Sequence, residues 1–100
     1  MVTFDIQQKP DCTFVTIAGS LDTDAANDID SEFDRLKASS LPIVIDCSHL
    51  EYIVSSGLRH LLSLYKATNA KGLTVTLLHV NETVMGILKI THFNRMFTIK

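Results

Sequence analysis

The chain has 100 residues, of which 46 % are apolar, and a formal charge of −2, which suits one domain with a single buried core and leaves too little material for two. Its acids and bases are dispersed, so it lacks the basic footprint of a nucleic-acid or anionic-membrane binder, and no direct nucleic-acid contact is expected. No apolar run approaches the roughly 20 residues that cross a bilayer, and Met1-Val2-Thr3-Phe4-Asp5 does not open like a secretory leader; a cytoplasmic domain without membrane insertion is expected.

Val2, Phe4 and Ile6 alternate with Thr3, Asp5 and Gln7, the period of a half-buried strand. Pro10 and Asp11 supply a turn, and Cys12 to Ala18 reads as a second strand, joined too closely for a crossover, so an antiparallel hairpin is predicted. The period then changes. Ala25, Ile29, Phe33 and Leu36 share one helical face, with Asp22 or Thr23 placed to cap it and Asp24 favouring its positive end. Ser39 and Ser40 end this helix, and Pro42 cannot continue it.

Ile43 to Cys47 is predicted as a third strand, followed by a short loop to Ser55-Ser56-Gly57. A second helix starts there with Leu58, Leu61, Leu62 and Tyr65 inward, and Gly72 should terminate it. Leu73, Val75 and Leu77 alternate with Thr74 and Thr76 as a fourth strand. Asn81 is placed to cap a third helix carrying Val84, Ile87 and Leu88 inward, and Met96 to Ile99 suits a short last strand.

This order predicts an α/β domain whose mainly parallel sheet follows an N-terminal hairpin. Because the first and fourth strands alternate cleanly, helices are expected on one face only, in sequential strand-helix units, leaving a threonine-studded face partly open. Cys12 and Cys47 lie in apolar runs without C-x-x-C spacing, so buried free thiols are expected. His49, His60, His79 and His92 share no metal-ligand spacing, and neither a metal nor another cofactor is expected.

The serine pair precedes a helix, where backbone N–H groups lack acceptors and the dipole is positive. Such a place suits a hydroxyl cap and also suits a phosphate, and the residues alone leave both readings open. No Gly-x-Ser-x-Gly and no Gly-rich phosphate loop is present, and no histidine is spaced to activate Ser55, so catalysis is not expected.

The run Asp46-Cys47-Ser48-His49-Leu50-Glu51-Tyr52-Ile53-Val54-Ser55-Ser56-Gly57-Leu58-Arg59 resembles the signature of the STAS domain, the module of bacterial anti-sigma factor antagonists and of sulfate-transporter tails. Gly19-Ser20-Leu21-Asp22 is similar to the family's Gly-x-Leu-Asp, and the segment from Leu77 through Val84, Leu88 and Phe93 follows its final strand-helix-strand. The resemblance covers essentially the whole chain and implies the one-faced fold just derived, as a single domain over residues 1–100.

It also implies a role. Ser55 matches the serine phosphorylated by a partner that is at once anti-sigma factor and serine kinase, with a serine phosphatase as the partner that resets it. Asp22, Ser55, Ser56, Gly57 and Arg59 would form the partner-binding surface, and sigma-factor-dependent transcription would be the regulated output. Val54 stands where an acid or small polar residue is usual. The same module also serves as a transporter accessory subunit or a ligand-sensing signalling module; a free-standing chain of this length favours the antagonist.

Overall fold

A computed structural model describes residues 2–21 and 30–100. Its strands are β1 (Thr3–Gln8), β2 (Thr13–Leu21), β3 (Ile43–Ile53), β4 (Val75–Leu78) and β5 (Thr98–Ile99). Between them lie helices α1 (Asp30–Lys37), α2 (Ser55–Asn69) and α3 (Glu82–Ile90), and a 3-10 turn at Phe93–Arg95 precedes β5. The cap expected at Asp22 or Thr23 and the core positions expected at Ala25 and Ile29 lie outside the described residues.

The strands pair in chain order, β1-β2-β3-β4-β5. The first pair is the expected antiparallel hairpin, with Phe4 opposite Ile17 and Ile6 opposite Val15, and every later pair is parallel. Alternation sorts the two faces. Val15, Ile17, Ile43, Ile45, Cys47, Val75 and Leu77 are buried in the core with Phe33 and Leu36 of α1, Leu58, Leu61 and Leu64 of α2, and Val84 and Leu88 of α3. Their alternates Phe14, Thr16, Val44, Asp46, Thr76 and Leu78 are only half-buried, so the helices cover one face and the other remains partly open.

Phe33 anchors α1. Its ring is 5.5 Å from that of Phe4 and stacks at 5.0 Å on His60 of α2, whose Nε2 lies 2.8 Å from Asp30 Oδ1. Gly72 ends the turn after α2 as expected: its φ of 73° is left-handed, and the next N–H, of Leu73, donates to Thr68 O at 2.9 Å.

Several elements differ from the sequence-based expectation. On α2 the buried stripe runs through Leu58, Leu61, Leu64 and Thr68, whereas Leu62 and Tyr65 are half-buried, because the helix turns Leu64 beneath the sheet. Thr68 is admissible there since its hydroxyl bonds Leu64 O and Tyr65 O, both at 3.0 Å. The fourth strand starts at Val75 and the last is confined to Thr98–Ile99, Met96 being held by the 3-10 turn through its N–H to Phe93 O at 3.0 Å. Cys12 is only half-covered. Cys47 is buried, and desolvation, with Asp46 beside it, pushes its thiol up to about 12, so it stays protonated and unreactive.

The largest departure is in β3, which continues to Ile53 where a loop was expected. Its pairing with β4 stops at Asp46, opposite Leu78, while its pairing with β2 runs on to Ile53, opposite Leu21. Two register shifts accompany that extension, and beyond Asp46 every third residue, Cys47, Leu50 and Ile53, is buried.

Candidate functional site

Asp46 shapes the start of the extension. Its Oδ1 accepts the Ser48 N–H at 3.0 Å, and that backbone hydrogen bond holds its carboxyl below the usual carboxylate range. The chain then bulges at Glu51, which falls between Leu50, opposite Gly19, and Tyr52, opposite Ser20. The last rung is the Val54 N–H, donated to Leu21 O at 2.9 Å.

Helix α2 begins at once. Val54 is its N-cap residue, in extended backbone, and its carbonyl accepts the first helical bond from Leu58 N at 3.0 Å. A valine has no side-chain acceptor, so among the described residues the N–H groups of Ser55, Ser56 and Gly57 have neither an intrahelical acceptor nor a side-chain cap from the N-cap residue. The first turn also contains no acid. Such an electropositive helix start suits an anion.

The sequence-predicted site residues take different places on this turn. Ser55 is exposed at the first helical position, and neither it nor Ser56 occupies the capping position that serines before a helix usually fill. Ser56 turns inward, with its Oγ buried and without a hydrogen-bond partner among the described residues. Gly57 is buried against the strand ends: a Cβ there would lie 2.9 Å from Ile53 Cγ1 and 3.0 Å from Leu21 Cβ. Its absence of a side chain lets α2 start flush against β2 and β3. Arg59 is exposed one turn beyond Ser55, on the same helical face. Asp22 lies outside the described residues.

The staple position preceding the cap belongs to Ile53, which is buried with Leu58 four residues into the helix, rather than to Val54. Glu51 and Tyr52 are exposed beside the turn, and Tyr52, at 45 %, is one of two large apolar residues so open among those described. Asn81 is the residue whose full part was not legible in the sequence. Its Oδ1 caps α3 by accepting Val84 N at 2.8 Å, as expected, but its Nδ2 also donates to Leu50 O at 2.9 Å and Glu51 O at 3.4 Å. His49, His79 and His92 are exposed, and among the described residues no three His, Cys, Asp or Glu side chains gather as a metal site.

The orphaned Ser56 hydroxyl carries a testable cost. Ser56→Ala is expected to raise stability by about 1 kcal/mol in urea melts, since it removes a desolvated, unpaired donor and improves helix propensity. A loss of stability would mean that the hydroxyl finds a partner in solution.

A model of the STAS domain matches residues 3–100, and the chain belongs to this family. The fold is also that of several solved structures. A proposed anti-sigma factor antagonist from Thermotoga maritima superposes with a TM-score of 0.85 at 24 % identity, covering 96 % of this chain and 84 % of that one. An anti-sigma factor antagonist from Mycobacterium paratuberculosis gives 0.86 at 20 % identity, with 99 % and 85 % covered. The antagonist SpoIIAA in its unphosphorylated form gives 0.81 at 17 % identity, with 98 % and 88 % covered. SpoIIAA, a Bacillus cell-fate determinant, has also been solved in its phosphorylated form, which gives 0.74 at 17 % identity over 98 % of this chain and 91 % of that one.

Proposed function

We propose that this protein is a cytoplasmic anti-sigma factor antagonist, a binding protein and not an enzyme, switched by phosphorylation of Ser55. The observation that carries the proposal is the exposure of Ser55 at the first position of α2, with the capping position filled by Val54, so that its hydroxyl has no structural duty as a cap. Unmodified, the surface of Ser55 and Arg59, with Asp22 as a further candidate, docks against an anti-sigma factor that is also a serine kinase, whereas Gly57 and the Ser56 hydroxyl, expected on that surface, are buried and seat the helix beneath it. The docked partner releases its sigma factor, and transcription follows.

The kinase transfers the γ-phosphoryl group of ATP to Ser55 Oγ and leaves ADP. The new group carries about −1.5 to −2 charge and strong acceptor oxygens. The N–H groups of the first turn of α2 stabilise it within the domain, while Glu51 and any acidic patch on the partner repel it. Docking is lost without refolding, and a serine phosphatase restores it. The solved structures of SpoIIAA in phosphorylated and unphosphorylated forms support this reading by likeness of fold.

Incubation with the cognate kinase and ATP, followed by intact mass and fragmentation, tests the assignment. One phosphate is expected, on Ser55, because the Ser56 Oγ is buried and inaccessible to a kinase. Phosphate chiefly on Ser56, or none, would overturn it.

A further inference from the structure

We infer that Asn81 is the positioning residue of the Ser55 site, a clamp that sets the end of β3 against α3 and thereby fixes where Ser55 is presented. The inference rests on the proposed phosphorylation of Ser55 and adds a residue 26 positions away in sequence to the machinery that presents it. It begins from backbone accounting. Past Asp46, β3 has lost β4 as a neighbour, yet it runs on to Ile53 with β2 as its one paired strand among the described residues. A strand extending alone beyond its neighbour has carbonyls that need donors from elsewhere.

The Asn81 side chain supplies them. Its Nδ2 donates to Leu50 O at 2.9 Å and to Glu51 O at 3.4 Å, on either side of the bond that begins the bulge. The opposite end of the same amide, Oδ1, takes Val84 N at 2.8 Å. Reversing the amide would set oxygen against two carbonyls and NH2 against an N–H, so the network itself dictates the orientation. Asn81 thus bonds two elements in opposite senses. Leu50 and Glu51 are held a few residues before Ser55, and the intervening Val54 is already tied to Leu21 O. The segment carrying Ser55 is therefore fixed on the β2 side by the backbone and on the α3 side by one side chain.

The two duties of Asn81 separate by substitution. Asn81→Ser keeps a good helix cap and removes both amide donors; Asn81→Asp keeps the cap and places an oxygen against the carbonyls. Hydrogen exchange on each variant, without any partner present, reads the clamp directly. The Val54 and Leu58 amides are expected to exchange about tenfold faster in both variants, with the Val84 and Met85 amides of α3 unchanged. Phosphorylation of Ser55 is expected to fall about tenfold in kcat/KM, as a displaced hydroxyl requires. Unchanged exchange at Val54 and Leu58, or an equal rise in α3, would reduce Asn81 to a cap and overturn the inference. A kinase that modifies no serine of the wild type would remove the proposed function and leave the exchange result to decide the clamp by itself.

Discussion

Gly57→Ala is expected to lower stability by about 2 kcal/mol and to slow phosphorylation of Ser55. Overpacking costs of about 1–3 kcal/mol are usual where an added methyl meets a filled core. Here the methyl would stand 2.9 Å from Ile53 Cγ1 and 3.0 Å from Leu21 Cβ. The isoleucine tip can rotate, but the leucine Cβ is rooted in the backbone of β2 and cannot. Either α2 lifts from the sheet or the end of β2 yields. The better helix propensity of alanine offsets at most about 1 kcal/mol. Because the helix that must move begins with Ser55, lost stability and lost phosphorylation should appear together. Urea melts beside kinase assays check this, and an alanine variant as stable as wild type would mean that the close approach of α2 to the strand ends is dispensable.

If the proposed function holds, Ser55→Asp should weaken binding to the proposed anti-sigma partner by about 3 kcal/mol, more than a hundredfold, while Ser55→Ala stays near wild type. The physical distinction is charge. Alanine removes one exposed hydroxyl from a surface, whereas aspartate fixes a negative charge where the partner docks. Stability should move the other way, since an acid at the first helical position is favoured by about 0.3–1 kcal/mol. Weaker binding from a more stable protein excludes unfolding as the cause. Calorimetric titration gives the affinities, and equal values for the two variants would leave Ser55 without a switching role.

The strands and helices were legible where one period held. Phe4 and Ile6, and Val75 and Leu77, face the core as their alternation predicts, and Ile43 to Cys47 forms the expected third strand. The extension of β3 was not, because Ser48, His49, Glu51 and Tyr52 look like loop and the buried positions change from every second residue to every third. Composition placed the serine pair at the helix start. It did not tell which residue caps, since that depends on backbone geometry, and Val54 takes the position with a side chain that cannot cap. Nor could it show Ser55 facing out while the Ser56 hydroxyl is sealed in. Asn81 looked like an ordinary cap because its second set of bonds reaches 31 residues back.

The sheet is laid down in chain order, with β2 and β3 sharing its longest ladder and the two-residue β5 at one margin. Local openings of a native domain start where the fewest bonds must break. In this arrangement fraying begins at β5 or at the β1 edge, and each event releases an outer strand before it reaches the central pair. Ser55 follows the one-sided end of β3, so among the described strands the surface proposed as the switch is joined to the central pair through β2 alone. Loss of either margin would leave the β2–β3 ladder that carries the proposed site in place.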